Sequence, residues 1–369
     1  MKTLRRLMYR EIVGSVAFVA VAFLSLFFFI DFVDELNDSG RPGFTLWRAA
    51  LLAGLEIPGH LYELMPISVL IGTIYALSRM AQSSEFTILR TAGLGPGRAL
   101  TLLATLGVAF AALTLAVGDY AAPWAERQIV LTQAQGKGLT FGRAGAWLKE
   151  RRTAAPGGDT TVAINIATAR GAGELEGIRI FEHDARGQLV QRIEAARAQV
   201  DSRGNWTLRE VTQTRWPAGD ASLARVTEAR HDELQWPSTL AAEVVAAAVL
   251  PLKTMTTLEL WRYSAHLSRQ GQDSQLHAIQ FWKKALYPFA CLVMVALALP
   301  FAYLHARAGG LSLKVFGGIM LGISFVLLNN VAGHLGVLRD WTPWVAAATP
   351  ALTYLLLSLL AFAWLVRYR

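Results

Sequence analysis

Residues 12–30 read Ile-Val-Gly-Ser-Val-Ala-Phe-Val-Ala-Val-Ala-Phe-Leu-Ser-Leu-Phe-Phe-Phe-Ile, a run without a single charge. Its length approaches the roughly 20 apolar residues that a helix needs to cross a bilayer's hydrocarbon. It lacks a small-residue cleavage site of the signal-peptide kind, so we expect it to be retained as a first transmembrane helix, Ile12 to Val33, closing on Asp31, Asp34 and Glu35. Five further stretches have the same character. They run from Leu61 to Leu77, with Pro58 and Pro66 near the start, then Ala99 to Val117, Ala285 to Leu304, Val315 to Leu335 and Trp344 to Val366. Trp341, Trp344, Tyr354 and Trp364 supply aromatic anchors of the interfacial kind in the last region.

The whole-chain figures agree. Of 369 residues 53% are hydrophobic and 17% charged, and the mean hydropathy is +0.36. A soluble domain has roughly 45–50% and about 25%. The net charge of +8 does not mark a nucleic-acid binder, because the basic residues are scattered or flank apolar stretches and no aromatic-interleaved basic patch occurs. The lone cysteine, Cys291, cannot form an internal disulfide, and its apolar setting reads as a small buried hydrophobe.

The charge is better used to orient the spans. Lys2, Arg5, Arg6 and Arg10 precede the first. Arg79, Arg90 and Arg98 separate the second from the third, His305, Arg307 and Lys314 the fourth from the fifth, and Arg367 and Arg369 follow the sixth. The alternate short loops hold Arg41 and Arg48 in one and Arg339 in the other. The positive-inside rule then puts both termini in the cytoplasm and the long segment between spans three and four outside. Lys283 and Lys284 run against this trend; either they snorkel to headgroup phosphates or they touch an anionic substrate.

The segment from Pro123 to Gln275 has another texture. Thr161-Val-Ala-Ile-Asn-Ile166, Gly177-Ile-Arg-Ile-Phe181 and Trp206-Thr-Leu-Arg-Glu-Val211 alternate with period two, as half-buried strands do. Turn material separates them: Pro156-Gly-Gly-Asp159, Ala172-Gly173, Asp184-Ala-Arg-Gly187 and Ser202-Arg-Gly-Asn205. Short strands at regular spacing predict a small sandwich or jelly roll. The apolar run Ala241 to Leu250 is too short to span, and Leu258 to Leu267 has helical spacing. The expected fold is therefore an α-helical polytopic membrane protein with an inserted all-β jelly-roll domain. Its parts are 1–121 (spans one to three), 122–257 (the β domain) and 258–369 (a connecting helix and spans four to six). No internal repeat is evident.

Catalytic signatures are missing. Gly136-Lys137-Gly138 lacks the glycine spacing and the Lys-Ser/Thr pair of a phosphate loop, no histidine pair has zinc spacing with an intervening acid, and no glycine-flanked serine elbow occurs. We expect no enzyme activity, no ATP hydrolysis and no metal in this chain. The polar residues near membrane depth are Asp31, Asp34, Glu56, His60, Glu63, Asn329, Asn330 and His334, and they read either as an interfacial rim or as groups facing a cavity or partner.

The loop between spans two and three, Arg79-Met-Ala-Gln-Ser-Ser-Glu-Phe-Thr-Ile-Leu-Arg-Thr-Ala-Gly93, predicts a short amphipathic helix over about 82–93. Ser83 or Ser84 can cap it and Glu85 suits its positive end, while Phe86 and Leu89 share a side and Gly93 stops it. Such a helix either docks into a groove on a soluble partner or lies on the membrane surface.

These stretches resemble, in order along nearly the whole chain, the lipopolysaccharide export permease family LptF/LptG, most closely its LptG branch. The resemblance is carried by Phe29-Ile-Asp-Phe-Val-Asp-Glu-Leu36, by the loop Ala81 to Gly93, by Gly118-Asp-Tyr-Ala-Ala-Pro123 and by Gly145-Ala-Trp147. Ser268-Arg-Gln-Gly-Gln-Asp273 and Phe281-Trp-Lys283 complete it. It implies a half-transporter paired with an LptF-like permease on an LptB-like ATPase dimer that holds the ATP and Mg. An LptC-like single-helix protein and a periplasmic bridge would receive lipopolysaccharide from the inner membrane. It also makes the loop a coupling helix with Ser84, Glu85, Phe86, Leu89, Arg90 and Gly93 as its contacts.

A lipid-like substrate needs apolar walls and a basic rim. Phe28, Phe32, Leu64, Met65, Phe325 and Leu328 are the wall candidates, each equally readable as lipid-facing or core. The rim departs from the family pattern, since Asp31, Asn37 and Asp38 stand where lysines are common and Arg127 is the basic residue left shortly after the third span; either the partner subunit carries phosphate recognition, or Arg41, Lys283 and Lys284 substitute as headgroup contacts. A divalent cation held by Asp31, Asp34 and Asp38 could bridge to phosphates. Rival readings are the LptF branch, a mechanotransmission ABC subunit that carries no substrate, and a membrane-embedded lipid-modifying enzyme built on Asp34, Glu63 or His60.

Overall fold

The computed structural model describes residues 2–37, 45–83, 96–134, 139–140, 146–154, 158–169, 174–201, 205–217, 225–238, 252–269, 274–303 and 310–367. They form two compact units, one of residues 1–126 and 275–369, the other of residues 127–274. The connecting helix, grouped above with the returning spans, goes with the sheet.

The first unit is helical. It contains α1 (Lys2–Asn37), α2 (Leu46–Gln82) and α3 (Pro96–Ala116), which continues through a π-turn (Val117–Ala121) into α4 (Ala122–Ala134), whose residues from 127 on belong to the second unit. After the second unit come α6 (Gln275–Tyr303), α7 (Leu311–Leu338) and α8 (Pro343–Arg367). Among the described residues, six helical stretches are long and apolar enough to cross a membrane: Arg5–Asn37, Leu46–Gln82, Gly97–Thr132, Gln275–Phe301, Leu311–Leu338 and Pro343–Trp364.

The second stretch starts well before the expected Leu61. Thr45 caps α2, its hydroxyl accepting the Arg48 N–H at 3.2 Å, and the helix then runs through both Pro58 and Pro66. In hydrocarbon a proline bends a helix without ending it, because neighbouring groups satisfy the freed backbone. At the other end Ser83 closes α2, its N–H donating to the Arg79 carbonyl at 3.0 Å.

Helix α2 is the hub. Residues 65–74 are all buried, and α1 and α7 come close to it where side chains are missing. A Cβ on Gly72 would stand 2.6 Å from the backbone of Val16, one on Gly318 2.7 Å from Ile74, and one on Gly322 2.9 Å from Ile67. Small residues let helix backbones approach, which is where association energy comes from when lipid is as apolar as the core. An ion pair and a histidine–carboxylate hydrogen bond tie α1 to α2: Arg79 to Glu11 at 2.6 Å and His60 Nε2 to Asp31 at 2.9 Å.

The second unit is built on one antiparallel sheet of seven strands: β1 (Leu139–Thr140), β2 (Ala146–Ala154), β3 (Gly158–Ala169), β4 (Glu174–His183), β5 (Leu189–Val200), β6 (Asn205–Arg215) and β7 (Thr227–Pro237). Strands β3 to β7 follow one another as neighbours, and β1 and β2 both pair with β3. The expected turn at 184–187 is present, with Gly187 at φ +77 and the Asp184 carboxylate accepting from the Arg186 and Gln188 amides.

Alternation puts Ile164, Ile166, Ile178, Ile180, Ile193, Leu208 and Trp206 on one face, each 1% exposed or less. The sheet reaches that burial by curling over itself. The Ser238 hydroxyl, just past β7, donates to the Glu150 carboxylate on β2 at 2.8 Å, although the two strands lie toward opposite edges. The ladder also breaks along one transverse line. Ala167, Gly177, Ala196, Glu210 and Asp232 are skipped in register on β3 to β7, with Gly177 at φ +64 and Glu210 at φ +56. After β7 come a short 3₁₀ turn (Leu252–Thr254) and α5 (Thr257–Arg269).

Candidate functional site

The acidic end of α1 and the start of α2 carry the polar residues singled out in the sequence. Asp31 is no free carboxylate: His60 Nε2 lies 2.9 Å from it, and the Phe27 ring packs 4.7 Å from the imidazole. Asp34 and Glu63 are exposed at this end, whereas Glu35 and Glu56 have partners. Among the described residues no cluster of ligating side chains has the geometry to hold a metal ion. Asp31 is engaged by an imidazole, and Asp38 lies outside the described residues. On α7, His334 Nδ1 donates to the Asn330 carbonyl at 2.8 Å, so that pair serves its own helix.

Below the rim, three helices break regularity at one level. Pro66 removes an N–H from α2, and the Tyr287 hydroxyl of α6 donates to the neighbouring Glu63 carbonyl at 2.6 Å. Tyr287 is followed by Pro288 in its own helix. The Tyr62 and Tyr287 rings lie 4.9 Å apart, and Tyr62 covers Gly118 of the π-turn so closely that any side chain there would overlap its ring. Single π-turns within α-helices collect at functional positions. Pro66 and the stretch from Gly118 were visible in the sequence. That tyrosines 225 positions apart meet there was not, because no local periodicity encodes the contact.

The wall candidates divide. Phe28 and Phe32 are half-buried and stack on each other along α1, with centroids 6.2 Å apart, and Leu64 is also half-buried. Leu328 packs partly against the helix core. Met65 and Phe325 are inside that core, 4% and 2% exposed, where Phe325 meets Tyr354 edge-on, so neither presents its side chain to an opening.

The cation candidates divide as well. Arg127 donates to both oxygens of Glu259 at 2.7 and 2.6 Å and to the Thr254 carbonyl at 3.1 Å. Glu259 also accepts from the Thr256 amide, and the Thr256 hydroxyl accepts from the Glu259 amide, a reciprocal cap at the start of α5. Burial alone would raise the Glu259 pKa, but the Thr256 amide and Arg127 outweigh it and hold the carboxyl below its ordinary value. Lys284 has a partner. Lys283 is half-buried with its stem against Gly333, and no hydrogen bond or ion pair engages it among the described residues. Arg41 lies outside the described residues, as do Ser84, Glu85, Phe86, Leu89, Arg90 and Gly93 of the expected coupling helix.

On the sheet, the ladder break opens a groove of about 440 Å³ lined by Asn165, Arg179, Glu194, Glu210 and Thr212 over a floor of Ala167, Gly177 and Ala196. The Arg197–Glu210 and Arg192–Glu194 contacts neutralise part of its rim.

A family model described as lipopolysaccharide export system permease LptF/LptG matches residues 6–367. The lipopolysaccharide export system permease protein LptG of Haemophilus influenzae is 23% identical over 359 residues, covering 96% of each chain. The protein of the same description from Escherichia coli K12 is 24% identical over 360 residues, again covering 96% of each.

Proposed function

The chain belongs to the lipopolysaccharide export permease family LptF/LptG, and on that footing we propose that it is the LptG-type subunit of an ABC exporter, converting ATP hydrolysis in a separate ATPase into extraction of lipopolysaccharide from the inner membrane. The observation that carries this reading is the match of one family model across both helical halves and the inserted β unit, together with six span-length helices.

In this reading both termini are cytoplasmic and the β unit is periplasmic. The loop after α2 is the coupling helix, with Glu85 engaging an LptB-like ATPase dimer that supplies ATP and Mg. An LptF-like permease completes the cavity, and an LptC-like protein joins the periplasmic bridge. The Arg79–Glu11 pair supports such coupling: it links the end of α2, four residues before the loop, to the start of α1, so force applied to the loop reaches two helices. Phe28, Phe32 and Leu64, half-buried candidates outside the helix core, would line the acyl-chain wall. The chain itself carries out no reaction.

The test is co-purification of the tagged chain from native membranes, wild type against Glu85→Ala. Wild type should bring down a homologous permease and an ATPase subunit, and the variant should lose the ATPase while keeping the permease. Recovery of the wild-type chain alone, or an unchanged ATPase yield in the variant, would sink the reading.

A further inference from the structure

We propose that Lys283 is the cation that contacts a phosphate of the exported lipid, seated for that purpose against the bare backbone of Gly333. The inference rests on the exporter reading above and assigns the headgroup recognition that the acidic end of α1 does not supply.

Arg127 is spent on Glu259 and the Thr254 carbonyl. Lys284 has a partner of its own. On α1 the position facing His60 is an aspartate, and it accepts that imidazole. Of the described candidates this leaves Lys283, half-buried and without a hydrogen bond or ion pair among the described residues. Asp34 and Glu63 are exposed carboxylates, and neither forms an ion pair with it.

Its placement is specific. Lys283 lies eight residues into α6, about 12 Å along the axis at about 1.5 Å per residue, and one turn from Tyr287. Its Nζ sits 2.8 Å from where a Cβ on Gly333 would stand, and its Cδ and Cε both 3.5 Å from that point. The side chain thus crosses α7 at a position with no side chain of its own, and even a methyl there would displace the ammonium. A cation held within a membrane helix with no counter-ion among the described residues is costly and marks a ligand path. A lipid phosphate supplies both the missing charge and the hydrogen-bond acceptors. That phosphate could be the exported lipid's or the surrounding bilayer's; we assign the former.

The test uses the assembled exporter in nanodiscs and two probes, lipopolysaccharide with its phosphates and the same lipid dephosphorylated. Lys283→Gln should weaken binding of the phosphorylated lipid about tenfold, the size of a charge-assisted hydrogen bond, and leave the dephosphorylated lipid unchanged. Lys283→Arg should restore binding. Gly333→Ala, which moves only a flexible side-chain end, should give a partial loss. Equal affinities for wild type and Lys283→Gln, or an equal loss with both probes, would overturn the assignment. So would a Lys283→Gln effect confined to thermal stability in phosphatidylglycerol as against phosphatidylcholine discs, which would assign the lysine to bulk lipid. Failure of the wild-type complex to bind either probe would instead overturn the exporter reading itself.

Discussion

The helical unit and the sheet unit solve burial in opposite ways. In the sheet unit a side chain's face decides its fate: Ile164 and Ile178 are 1% exposed or less, while Arg179 between β3 and β5 stays in water. In the helical unit Phe18 is 76% exposed and Phe29 63%, whereas Ser68, Thr73 and Ser78 are fully buried with no hydrogen-bond partner for their hydroxyls among the described residues. Polarity sorts residues only where water is the solvent on one side. Where lipid is the solvent, closeness of packing sorts them instead. One chain therefore contains a core held by hydrophobic burial and another held by fit.

The contrast can be broken first at Trp206. This side chain is wholly buried and meets Trp236 edge-on at 5.9 Å. Trp206→Ala should cost about 3–5 kcal/mol, and proteolysis of the full-length protein should then cut within 127–274 while the helical unit stays protected. Concerted loss of both would show that the units do not fold separately.

Next comes the fit of the helices. Gly72→Ala adds one methyl against the backbone of Val16 and should cost about 3 kcal/mol, the upper end for overpacking. Removing far more apolar surface in Phe18→Ala should change thermal unfolding in detergent by less than about 0.5 kcal/mol. A reversed order would mean that burial in the ordinary sense holds the bundle.

The smallest effect sharpens the sheet unit alone. Arg127 and Glu259 are each about 40% exposed, so their pair contributes only about 1 kcal/mol. Because Glu259 has a folded pKa below its ordinary value, the contribution is complete above the ordinary carboxylate pKa and is lost as pH falls through the depressed one. Hydrogen exchange at the start of α5 should accelerate on acidification in that range. In Glu259→Gln that acid step should vanish.

The same contrast explains what the sequence revealed. The strands at 161–166, 177–181 and 206–211 lie within β3, β4 and β6, since alternation is legible wherever one face meets water. β7 is harder to see: of Thr-Glu-Ala-Arg-His-Asp-Glu-Leu-Gln-Trp-Pro only Trp236 is buried, and its pairing comes from β6. The spans were legible from length and apolarity, but not their starts, because Glu56, Pro58 and Gly59 resemble a loop while the structure carries α2 straight through them. Asp31 and His60 were each singled out, yet their pairing is a tertiary fact. Hydropathy also could not distinguish the core position of Phe325 from the half-exposed one of Phe28, since both are apolar residues in apolar helices.

The Tyr287 hydroxyl on the Glu63 carbonyl has a mechanical meaning. An unbroken helix in hydrocarbon is a stiff rod, because flexing it exposes amide groups that nothing nearby can satisfy. Pro66 loosens the rod at one point by leaving the Tyr62 carbonyl without its helical donor, and Tyr287 holds the next carbonyl along, that of Glu63. The stiffness of α2 is thus set partly by a neighbouring helix, and with the π-turn at the same height the bundle has a level of compliance. Strain applied at one end of α2 would concentrate there rather than spread along 37 residues of helix.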